Sequence, residues 1–85
     1  MAVKAERQQL AQVLLDEVAE TAFPSSAQLD RIERLISSRE ELEDYIAVLL
    51  QKVQGKLAPD PQILDRLERL LSVLQRVDRE ARKDD

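Results

Sequence analysis

The chain contains no cysteine, no histidine and no tryptophan, and only one Gly, one Phe and one Tyr. Each absence removes a kind of chemistry. Without Cys there is no disulfide, no thiolate nucleophile and no thiolate metal site, so a cytoplasmic location is the compatible expectation. Without His, the Glu-x-x-His pairing of carboxylate-bridged metal centres in helical bundles cannot be assembled. Asp, Glu, Lys, Ser and Tyr45 are then the remaining catalytic candidates, and the acids fall mostly on the polar side of each periodic segment. No catalytic residue, metal ligand or cofactor site is expected. Phe23 and Tyr45 are the only aromatics, too few for a platform on which bases could stack.

Long apolar runs are missing as well. The longest, "YIAVLL" at 45–50, is far short of the roughly 20 residues a spanning helix needs. The opening "MAVKAERQQL" lacks the apolar stretch of a secretory leader. The expectation is a soluble, unexported protein with no membrane partner. Thirteen basic and 17 acidic side chains give a net charge of −4, which disfavours a nucleic-acid partner. Residues 1–63 hold 7 basic and 11 acidic side chains and so carry the whole imbalance, while residues 64–85 hold six of each. The densest acidic cluster is Glu40, Glu41, Glu43 and Asp44.

What the chain does have is aliphatic side chains, 25 Leu, Ile and Val in 85 residues, and a phrase written twice. "LDRIERLISS" at 29–38 returns as "LDRLERLLSV" at 64–73. A shift of 35 positions aligns residues 11–37 with 46–72 without a gap, and 12 of the 27 pairs are identical. Chance in a Leu-rich chain gives about two to four, so the repeat is taken as real. The period is near that of tetratricopeptide repeats, but the Trp, Gly and small-residue positions of that pattern are absent, and two copies are too few for a solenoid.

Each copy reads as an apolar-periodic segment, a loop with a central Pro, and a second apolar-periodic segment, which is an αα-hairpin. Leu10, Leu14 and Val18, flanked by Val13 and Leu15, fall at helical spacing, as do Leu42, Ile46, Leu49 and Val53. Ser25 and Gln28 have capping-box spacing, Asp60 precedes Pro61 as an N-cap candidate, and Gly55 suits a helix C-terminus. At the junction, Ser38 and Glu41 form a second capping box and predict a new helix. The rival reading runs Ile32, Leu35, Leu42, Ile46, Leu49 and Val53 into one long helix. That helix would exceed about 40 Å and would almost demand a second subunit. The break is favoured, because two serines and a cap signature coincide with a loss of apolar residues over 37–41.

The expected architecture is therefore all-α: a small helical bundle from a duplicated hairpin, in one domain over 1–85, with copies near 3–37 and 38–82. Four helices near 3–21, 26–36, 39–54 and 61–82 are preferred to three. On the last helix, Leu64, Leu67, Leu71 and Leu74 form one seam, and Ile63, Leu67, Leu70, Leu74 and Val77 a second. That stripe is wider than one neighbour needs, so these seven residues are the candidate interface, with Leu67 and Leu70 also expected in the core. The paired charges Asp30/Arg34 and Asp65/Arg69 read as solvated i,i+4 pairs. The functional expectation is a non-enzymatic protein-interaction module that forms a homodimer or docks on another protein. The alternative is an acidic antagonist using Glu40, Glu41, Glu43 and Asp44 to mask a basic site.

Overall fold

The computed structural model describes residues 2–54 and 60–83, and among these it contains four helices and no strand. They are α1 (Ala2–Glu20), α2 (Ser26–Leu35), α3 (Arg39–Gln54) and α4 (Pro61–Lys83). The chain divides between Ser37 and Ser38 into two units. Helix α1 packs on α2 in the first, and α3 on α4 in the second.

The helix boundaries follow from side chains that satisfy the main-chain N–H groups a helix start leaves open. Ser25 Oγ accepts from the Gln28 N–H at 3.2 Å, and Gln28 Oε1 accepts from the Ser25 N–H at 2.9 Å, completing the predicted capping box. Ser38 Oγ accepts from the Glu41 N–H at 3.1 Å at the start of α3. Asp60 Oδ1 accepts from the Gln62 N–H at 2.9 Å, with Pro61 in the first helical position, where no N–H is needed. The stop proposed at Gly55 lies outside the described residues. So does Pro59, the partner of Pro24 in the sequence alignment.

The junction resolves in favour of the break. Ile36 leaves the helix with φ −66° and ψ 122° while its N–H still donates to the Ile32 carbonyl at 3.2 Å. A single long middle helix is therefore excluded, and with it the argument that such a rod would require a second subunit. Ser38 provides the competing local bonds that make a restart favourable.

Both helix pairs are antiparallel. In the first, Gln28 Nε2 near the start of α2 donates to Glu17 Oε1 near the end of α1 (3.0 Å), while Arg7 Nη2 reaches the Arg34 carbonyl at the other end (3.4 Å). In the second, Arg39 at the start of α3 meets Asp78 near the end of α4. The core of the first pair is Ala11, Leu14, Leu15 and Val18 against Leu29 and Ile32. Leu10, expected on this face, is instead half exposed. The buried stripe follows i, i+3, i+4, i+7 from Ala11, whose small side chain allows close approach, and Leu10 stands about 100° off it. The core of the second pair is Leu42, Tyr45, Ile46 and Leu49 against Ile63 and Leu67. Leu70, expected in the core with Leu67, is half-buried.

Candidate protein interface

The seven candidate interface residues divide according to their angle around α4. Ile63 and Leu67 are buried and Leu70 and Leu74 half-buried, on the side turned to α3. Leu64, Leu71 and Val77 remain exposed. At about 100° per residue, Leu64 and Leu71 lie on one flank of the buried stripe and Val77 on the other, beside the exposed Val73. The seven therefore do not form one interface. Four of them face α3 and close the hairpin, and the other three flank it.

The flank that holds Leu64 and Leu71 gains a third leucine from α3. In an antiparallel pair, residues displaced in the same rotational sense from each helix's contact line lie on the same side of the hairpin. Leu50 is displaced from the Leu42/Leu49 line in the same sense as Leu64 and Leu71 are from the α4 line. Leu50, Leu64 and Leu71 are 37%, 39% and 42% exposed, and helical geometry gathers them above Ile46 and Leu67 on one side. The opposite side is closed further by Tyr45, Ile63 and the stem of Arg66, all buried.

Leu50 was not among the sequence candidates. Its position one step off the 42-46-49-53 stripe was the available signal. Three more exposed apolar residues, Leu10, Val13 and Phe23, belong to the first unit. Phe23 lies in the α1–α2 loop, next to the buried Pro24.

Along the Leu64/Leu71 flank, α4 presents a continuous row at i, i+4, i+7, i+11 and i+15: Leu64, Glu68, Leu71, Gln75 and Arg79, all exposed. The row carries an acid towards one end and a base at the other. Its far end is held by Arg39, whose Nη1 lies 2.8 Å from Asp78 Oδ1 and whose Nε lies 3.4 Å from Glu43 Oε1. A cation at the first position of α3 opposes the helix dipole, and these two carboxylates offset it. Asp78 Oδ1 is shielded from solvent, and its contact with Arg39 is ionic, at an angle outside hydrogen-bond geometry.

The acidic cluster serves α3 first. Glu40 and Glu41 occupy its first turn, the Glu41 N–H is bound to Ser38, and Glu43 is paired with Arg39, leaving Glu40 and Asp44 exposed. In the repeated phrase, Arg34 Nε donates to the Asp30 carbonyl at 3.3 Å. Asp30, Glu33 and Arg34 line an open depression of about 410 Å³, whose walls are charged. Among the described residues no group of three acidic side chains is placed to hold a metal ion, and no helix is long and apolar enough to cross a membrane. No protein family, curated protein or solved structure matches the chain.

Proposed function

We propose that this chain is a non-enzymatic protein-interaction module, built from a duplicated αα-hairpin, that docks through the aliphatic flank of its second hairpin. The carrying observation is the side shared by Leu50, Leu64 and Leu71 on α3 and α4. Three leucines grouped on one side of two packed helices and rimmed by charge match the pattern of a docking patch, an apolar centre with a polar rim. The duplication rests on the 12 identical pairs and on the pairing of α1 with α2 and α3 with α4. An acidic antagonist draws less support, because the Glu43 carboxylate is paired with Arg39 at the start of α3 and the first-turn acids Glu40 and Glu41 suit the helix dipole there.

The test is a photo-crosslinking amino acid placed at Leu71 in the full chain, irradiated in cells that express it. The reading expects an adduct with a protein, weakened several-fold by Leu64→Glu on the same flank. No protein adduct at all, from a variant with unchanged circular dichroism, would refute the docking function.

A further inference from the structure

We infer that the partner on this flank is a second copy of the chain, bound about a twofold axis with α4 antiparallel to its counterpart. This rests on the docking reading and adds the identity and orientation of the occupant.

The first support is the row Leu64, Glu68, Leu71, Gln75, Arg79, whose acid and base come within reach of each other when two such rows run in opposite directions. Placed antiparallel with Leu71 against the partner's Leu71, it sets Glu68 beside the partner's Gln75, within reach of the partner's Arg79 one turn further on. The twofold axis makes this contact twice. In the parallel arrangement Glu68 would face Glu68 and Arg79 would face Arg79, and like charges across a contact oppose association. The row therefore favours a second copy in one of two possible directions.

The second support is size. Helix α3 is about 24 Å long and α4 about 34 Å at 1.5 Å per residue, and two helices side by side are about 20 Å wide. One such side of the hairpin can bury about 800 Å² per partner, the amount a stable interface requires. The leucines supply its apolar centre. Arg39 and Asp78 pair the Arg79 end of α4 with the start of α3.

The experiment is light scattering coupled to size exclusion on the full chain, across a hundredfold range of concentration, with four proteins. Wild type is expected to pass from monomer to dimer. Glu68→Arg alone and Arg79→Glu alone should each raise the dissociation constant by tenfold or more, since each sets like charges face to face. The double variant E68R/R79E should recover to within about threefold of wild type. Circular dichroism of all four should coincide, because both side chains are exposed.

A wild type that stays monomeric throughout overturns the inference, as does a double variant no better than the single ones. The mass of the Leu71 photoadduct separates this failure from failure of the docking reading. An adduct of twice the chain mass supports the dimer. An adduct with a different protein keeps the docking function and rejects the second copy.

Discussion

Leu64 and Leu67 lie one turn apart on α4, and truncating each in turn isolates the packing argument, since the deleted atoms are identical. Leu67 is 4% exposed and Leu64 is 39% exposed. Removing three buried carbons forfeits about 0.8 kcal/mol per CH₂ group in transfer free energy, and the cavity left behind adds to it. Leu67→Ala should therefore cost about 2 to 4 kcal/mol, in the lower part of the measured range for buried leucines, because a helix pair can close part of the gap. Leu64→Ala has less burial to lose and leaves no enclosed cavity, so it should cost about 1 kcal/mol or less. The assay is urea unfolding followed by helical circular dichroism at submicromolar protein, where association does not add to stability. Equal m-values show that the change lies in stability and not in the denatured state. A Leu64→Ala cost equal to that of Leu67→Ala at that concentration would make Leu64 a core residue and refute a free flank. A difference that narrows as protein concentration rises would instead mark Leu64 as part of an intermolecular contact.

Ser25→Ala removes one half of a completed capping box and should lower stability by about 1 kcal/mol, read from the same urea transitions. Asp60→Ala should do likewise at α4, and an unchanged midpoint would mean that Pro61 alone sets that start. Arg39→Ala and Asp78→Ala, combined in a double-mutant cycle, should give a coupling below about 1 kcal/mol that shrinks in high salt, because both side chains are at least a third exposed. Val13→Ala, at 60% exposure, should leave stability within about 0.5 kcal/mol; a larger loss would mean that Val13 is packed.

The helices themselves were readable because their signals are local. Ser25 with Gln28, Ser38 with Glu41, and Asp60 with Pro61 each mark a helix start through bonds spanning two or three residues, and all three helices begin within one residue of the positions those signals gave. What the periodicity left open was rotation. A Leu-rich stripe such as 63-64-67-70-71-74-77 is compatible with several inward directions about 40 to 60° apart, and the choice depends on the helix it meets.

The repeated phrase shows how that choice is made. Leu29 and Leu64 open the same motif, yet Leu29 is 2% exposed and Leu64 lies at the surface. Leu15 and Leu50 differ in the same way. The identical positions cannot explain this, so the cause lies where the two aligned segments differ. Ahead of Leu29 stands Gln28, occupied at the helix start by Ser25 and Glu17; ahead of Leu64 stands Ile63, which is buried. Where α1 carries the half-exposed Leu10, α3 carries Tyr45, fully enclosed. An isoleucine and a tyrosine on one side of the second hairpin offer more apolar area than a glutamine and a leucine do in the first. Burial at about 25 cal/mol per Å² favours turning that side inward. The helices rotate accordingly, and Leu50, Leu64 and Leu71 are carried outward together. A Tyr45→Leu, Ile63→Gln double substitution should reverse the rotation, lowering the solvent accessibility of Leu64 in methyl-selective NMR. If Leu64 stays as accessible as before, Tyr45 and Ile63 do not set the rotation.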